Sequence, residues 1–117
     1  MKNKILFVFG TRPEAIKMAS LILKLKTLPD LFDVKVCVTG QHNEMLYQVL
    51  EFFGIKPDVD LGGMRKNQTL FNVTVNMLRG VETVIEEYKP DYIVVQGDTT
   101  SAMTGALSAY YKKVKVI

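Results

Sequence analysis

Apolar positions recur along this chain with two different periods that alternate. Ile5 to Phe9 is a continuous β-branched and aromatic run, as expected of a strand buried on both faces. Phe32 to Val38, Val59 to Leu61, Tyr92 to Val95 and Val114 to Ile117 supply four further strand-like segments. Between them the spacing becomes helical. From Pro13 onward Ile16, Ala19, Leu23 and Lys26 fall in one row, Leu21, Ile22 and Leu25 broaden that face, and Leu28-Pro29-Asp30 should end the helix. A second helix opens at Gln41-His42-Asn43-Glu44, carries Met45, Leu46, Val49, Leu50 and Phe53 on one face, and is broken by Gly54 to Asp58. A third runs from Gln68 or Thr69 to about Tyr88, with Leu70, Val73, Met77, Val81, Val84 and Ile85 at helical spacing, and stops at Lys89-Pro90-Asp91. The fourth, Ser101 to Tyr111, carries Met103, Ala106, Leu107 and Tyr110.

Strands alternating with helices specify a parallel sheet joined by right-handed crossovers. The predicted fold is therefore α/β: a Rossmann-like, three-layer parallel sheet with strand order three, two, one, four, five. Ligands in such sheets lie beyond the carboxyl ends of the strands, near the switch point between the first and fourth. Two polar motifs are predicted to fall there, Gly10 to Lys17 after the first strand and Gly97 to Ser101 after the fourth.

The first motif has the chemistry of an anion site. The first turn of a helix has unpaired backbone N–H groups and the positive end of the helix dipole, which attract phosphate. Arg12 adds a planar bidentate donor and Lys17 a mobile ammonium about one turn later. The same residues also suit a plain structural role. Gly10 can turn the chain, Thr11 and Glu14 have the spacing of a capping box, and Arg12 and Lys17 can be surface charges. Because a residue before proline avoids the α region, Pro13 is predicted to begin the helix, leaving Arg12 extended and aimed at a ligand.

Composition narrows the field. In 117 residues, 48% hydrophobic content is ample for one domain with a true core. The net charge of +3 is modest and its lysines and arginines are scattered among acids, so nucleic acid is not an expected partner. The one cysteine, Cys37, lies in an apolar run and reads as a buried, inert thiol. The apolar run near the N-terminus is too short for a signal peptide and no run reaches membrane length, which predicts a cytoplasmic protein with no membrane partner.

Asp98 is the sharpest candidate for chemistry, a carboxylate at the end of a buried strand where burial and nearby cations can tune its protonation. Its structural alternative is a helix cap accepting the N–H of Thr100 or Ser101, worth about 1 kcal/mol. His42 is the one histidine, so neither a histidine metal cluster nor a Ser/His/Asp triad can be completed within the chain. Gln41, His42 and Gln68 are neutral donors on the ligand edge. The glycine-rich dinucleotide fingerprint is absent after the first strand, which disfavours NAD.

Gly-Thr-Arg-Pro-Glu-Ala-Ile-Lys-Met-Ala at 10 to 19, Thr-Gly-Gln-His at 39 to 42, Glu-Met-Leu at 44 to 46, Asn-Gln-Thr-Leu at 67 to 70 and Gly-Asp-Thr-Thr at 97 to 100 occur in this order. Together they resemble the N-terminal part of the non-hydrolysing UDP-N-acetylglucosamine 2-epimerases. The resemblance implies the incomplete N-terminal domain, residues 1 to 117, of a two-domain glycosyltransferase-B-like enzyme that interconverts UDP-GlcNAc and UDP-ManNAc. The implied chemistry removes the proton at C2 with anti elimination of UDP, giving a 2-acetamidoglucal, then re-adds UDP with C2 inverted. It needs no cofactor and no metal. By the same resemblance Arg12 and Lys17 bind the nucleotide sugar, Asp98 is an acidic residue important for catalysis that also binds substrate, and Gln41, His42 and Gln68 hold a second, allosteric UDP-GlcNAc.

Two departures accompany it. Asn67 stands where the family commonly has arginine, which removes an anion contact from the allosteric site. The family also continues with a His-Val-Glu-Ala-Gly-Leu-Arg motif and a C-terminal UDP-binding domain, so the chain reads as truncated and inactive alone. A fifth strand at the sheet edge invites pairing, predicting a homodimer or higher homo-oligomer. Two other functions stay open at this point: a related epimerase, hydrolysing or acting on another UDP-acetamido sugar, and a flavodoxin-like nucleotide- or phosphate-binding module without catalysis.

Overall fold

A computed structural model of the chain describes residues 2–39, 43–62, 69–97 and 99–117. In chain order these form β1 (Asn3–Phe9), α1 (Arg12–Lys26), β2 (Phe32–Val38), α2 (Asn43–Phe53), β3 (Val59–Asp60), α3 (Leu70–Tyr88), β4 (Tyr92–Val94), α4 (Thr100–Tyr111) and β5 (Lys115–Val116). The five strands make one sheet in the order β3-β2-β1-β4-β5. Every pairing is parallel, with Phe7 of β1 opposite Val36 on one side and Val94 on the other. The predicted architecture and strand order therefore hold.

Alternation along β1 separates the two cores. Ile5, Phe7 and Phe9 face α1 and α2, where they join Ala15, Met18, Ile22, Leu46 and Leu50. Leu6 and Val8 face the opposite layer with Val81, Val84, Ile85 and Ala109 of α3 and α4. Successive side chains of a strand point to opposite faces, so a continuous apolar run is what a sheet covered on both sides requires.

The helices are where hydrophobicity alone misplaces residues. In α1 the buried row is Ala15, Met18, Ala19 and Ile22, whereas Ile16 and Leu21 are exposed. Leu70 of α3 is 78% exposed and the buried stripe extends instead to Tyr88. The largest departure is α4, whose predicted face carried Met103 and Tyr110. Both are exposed, and the helix instead buries Ser101, Ala102, Thr104, Gly105, Ser108 and Ala109. The reason is close approach: a Cβ on Gly105 would lie 2.8 Å from Val95 Cγ1 and 3.5 Å from the Val8 side chain. A helix lying this near a sheet packs with its small residues, and its larger ones must turn outward. Thr104 satisfies its buried hydroxyl by donating to the Ser101 carbonyl at 3.1 Å.

Cys37 is fully buried among the residues of the α3 and α4 layer, as its apolar run predicts. Burial, reinforced by the charge of Asp60, pushes its thiol up from 9.0 to about 12. Protonation thus favours the folded state. The stabilisation is fully present below pH 9.0, where the unfolded thiol is also neutral, and is lost as pH rises towards about 12. We expect urea-unfolding free energy to decline above that lower value, with this group contributing at most about 1.4 kcal/mol per pH unit. Cys37→Ala should flatten the decline. The native thiol should also react with a disulfide reagent at neutral pH only as fast as the protein opens; labelling at the rate of a free thiol would contradict this.

Among the described residues, no helix is long and apolar enough to cross a membrane.

Candidate functional site

β1 and β4 are neighbours, so the chain leaves them side by side and turns into α1 and α4 on opposite faces of the sheet. Between these exits lies a cleft of about 460 Å³ lined by Thr11, Arg12, Pro13, Glu14, Lys17, Met45, Gln96, Gly97 and Thr99. The two polar motifs thus meet as predicted, with Arg12 and Lys17 both on its wall. Neither residue forms an ion pair among the described residues, where the ion pairs are those of Lys112 with Glu82 and Glu86. Among the described residues both cations are therefore uncommitted to a carboxylate. Arg12 also borders an adjoining groove of about 470 Å³, whose lining includes Ile16, Met45, Val49 and Phe52.

The local geometry corrects two expectations. Arg12 is not extended: it is the first residue of α1, with Thr11 as the extended cap at φ −126° and ψ 159°. The bias against helical backbone before proline is overridden at this point. A first-turn proline removes no intrahelical hydrogen bond, so the remaining steric cost is small enough for the cap to offset. That cap is Glu14. Although 3% exposed, its Oε1 accepts the N–H groups of Gly10 at 3.2 Å and Thr11 at 3.1 Å, together with the Thr11 hydroxyl at 2.8 Å. The N–H groups of Gly10 and Thr11, which precede the first turn of α1, are therefore held by the protein's own carboxylate. Arg12 and Lys17 are the two cationic side chains lining this cleft among the described residues.

The second correction concerns the start of α4. Its N-cap is Thr99, whose hydroxyl accepts the N–H of Ala102 at 3.2 Å. The strand exit is turned by Gly97 at φ 88°, a left-handed conformation that favours glycine. Asp98 itself, and Gln41, His42 and Gln68, lie outside the described residues. A second polar contact ties this edge together, a 2.8 Å hydrogen bond between the Thr39 and Ser101 hydroxyls, joining the end of β2 to the first turn of α4.

In the sequence Glu14 reads only as one half of a capping box, and neither Thr99 nor Gln96 stands out. The box spacing was a usable signal for Glu14. Nothing in the sequence pairs residue 14 with residue 99, because their contact exists only once β1 and β4 are adjacent. Met45, expected on the core face of α2, is 53% exposed and contributes apolar wall to the cleft instead. Among the described residues, no group of three or more histidine, cysteine or acidic side chains is placed to hold a metal ion.

The sheet order and the cleft at its switch point define a doubly wound α/β domain of the kind that holds ligands beyond the carboxyl ends of its strands. The protein-family model described as UDP-N-acetylglucosamine 2-epimerase matches residues 24–117, and the chain belongs to that family. It is 50% identical over 116 residues to the UDP-N-acetylglucosamine 2-epimerase of Campylobacter jejuni, covering 99% of this chain and 30% of that protein. Among solved structures, the UDP-GlcNAc 2-epimerase of Neisseria meningitidis, bound to UDP-GlcNAc, superposes with a TM-score of 0.90 at 50% identity, covering 97% of this chain and 30% of that one. The Methanocaldococcus jannaschii UDP-GlcNAc 2-epimerase, in complex with UDP-GlcNAc and UDP, matches at a TM-score of 0.88 and 33% identity, over 97% of this chain and 31% of that one. MurG of Acinetobacter baumannii shares the fold at 17% identity, with a TM-score of 0.74 over 99% of this chain and 34% of that one. The chain thus spans about 30% of the length of the family members it matches, corresponding to their N-terminal part.

Proposed function

We propose that this chain, residues 1 to 117, is the N-terminal Rossmann-like domain of an enzyme that interconverts UDP-GlcNAc and UDP-ManNAc. The observation that carries the reading is the cleft itself: in a chain of the epimerase family, Arg12 and Lys17 stand on the wall of one cavity with Gln96, Gly97 and Thr99, neither ion-paired among the described residues. A guanidinium and an ammonium on one wall suit a diphosphate, with charge-assisted hydrogen bonds that also neutralise UDP as a leaving group. The proposed reaction takes the proton from C2 as the C1–O bond to UDP breaks, and then returns UDP to C1 and a proton to the opposite face of C2. Hydrogen lost at C2 is regained there, so the net change is isomerisation and no redox cofactor is needed. Asp98, which precedes the cap of α4, is assigned the acid–base role and a share of substrate binding. Gln41, His42 and Gln68 are assigned to a second UDP-GlcNAc, with Asn67 weakening its anion contacts.

Because the chain spans about 30% of the length of its relatives, the 117-residue chain alone should bind weakly and turn over nothing. The working enzyme is placed in the cytoplasm as a homodimer or higher homo-oligomer. The test is incubation of the full-length protein bearing this chain with UDP-GlcNAc in deuterated water. UDP-ManNAc labelled at C2 is expected. Free ManNAc with UDP would replace the reading by a hydrolysing epimerase, and absence of both turnover and UDP binding would leave a module without catalysis.

A further inference from the structure

The two walls of the cleft are joined by one side chain. Glu14 Oε1 takes three donors from the turn after β1, and Oε2 accepts the hydroxyl of Thr99 at 3.0 Å. Thr99 in turn accepts from Ala102 N–H, so its hydroxyl is donor to one helix cap and acceptor for the other. The carboxylate therefore belongs to both helix starts, 85 residues apart in sequence.

We infer that Glu14 is a positioning residue: its carboxylate ties the first turn of α1 to the first turn of α4 and so fixes the separation of Arg12 and Lys17 from Gln96, Gly97 and Thr99 across the cleft. Three features support this. The group is buried and both of its oxygens accept hydrogen bonds, three on Oε1 and one on Oε2, which holds the carboxylate in place. Its partners are neutral donors, which leaves the two cations available to a ligand. It also accepts from the amides of Gly10 and Thr11, which pins the turn that carries Arg12 into the cleft wall. A nucleotide diphosphate is the ligand class this arrangement suits. That identification rests on the epimerase reading; the bridge between the two helix caps does not.

The test uses the full-length protein with Thr99→Val, Thr99→Ser, Glu14→Asp and the double variant Glu14→Asp/Thr99→Val, measuring UDP affinity by calorimetry and unfolding by urea. Valine keeps the shape of threonine and removes the hydroxyl, serine keeps the hydroxyl, and aspartate is too short to reach both caps. UDP affinity is expected to fall about tenfold in Thr99→Val and in Glu14→Asp, each still folded by circular dichroism. Thr99→Ser should return affinity to within about threefold of the parent, and the double variant should be no weaker than the weaker single variant, since all remove one bridge. Unchanged affinity in both folded single variants, or fully additive losses, overturns the inference. If the parent protein binds no UDP, the epimerase reading fails, and the bridge is then judged from unfolding alone. Non-additive midpoints for Glu14→Asp and Thr99→Val uphold it, and additive midpoints overturn it.

Discussion

Replacing Phe7 with alanine is expected to cost about 3–5 kcal/mol of folding stability, the largest effect of any single truncation considered. Phe7 is fully buried at the centre of β1, paired to Val36 and Val94 on either side and packed into the α1 and α2 layer. Its neighbours are themselves locked in strands and helices, so the vacated volume can close only partly. Domains of this size are stable by about 5–15 kcal/mol, so the variant should be substantially destabilised and sit near its unfolding transition on modest warming. Urea unfolding of the purified variant measures the loss directly. A cost below about 1 kcal/mol would mean that the layer can repack around the gap, contrary to the close packing described above.

Replacing Arg12 with alanine is expected to weaken binding of UDP by roughly 10- to 100-fold, the range of one lost charge-assisted and partly bidentate contact. Folding should be nearly untouched, because the side chain is exposed and forms no ion pair among the described residues. Arg12→Lys should recover little, since an ammonium cannot reproduce the planar two-pronged donor. Lys17→Ala should cost less, roughly tenfold, because its longer and more mobile stem loses more entropy per contact made. In both cases the loss should shrink as salt rises, the signature of a partly solvated charge interaction. Calorimetric titration of UDP into the full-length protein and its variants checks this. Equal affinity for parent and Arg12→Ala would remove Arg12 from the binding machinery and with it the main support for the nucleotide-sugar reading.

Much of this architecture could be read from local patterns. Strand runs, helix stops at Pro29 and Pro90, and the turn at Gly97 are each signalled within a few residues, which is why the element order and the parallel sheet order agree with expectation. Helix phase was less legible. The stripe in α1 could have been centred on Ile16 or on Ala15 and Met18, since both rows are apolar, and the packed layer with β1 and α2 buries the second. In α4 the preference for large residues pointed to the wrong face, because close contact with Val8 and Val95 admits small side chains only. The backbone of Arg12 went the same way, a local steric preference losing to a cap that involves a buried glutamate.

By itself the sequence determined what each segment becomes, the order in which the strands lie, and which motifs reach the carboxyl edge of the sheet. Those depend on periodicity, on turn residues and on the handedness of crossovers, all properties of short stretches of chain. Tertiary structure alone decided which face each helix buries, that the N–H groups of Gly10 and Thr11 are taken by Glu14, and that Glu14 and Thr99 meet. The physical reason is that these outcomes depend on distances between residues remote in sequence. A carboxylate three residues into a helix carries no local sign of the hydroxyl it will meet 85 positions later.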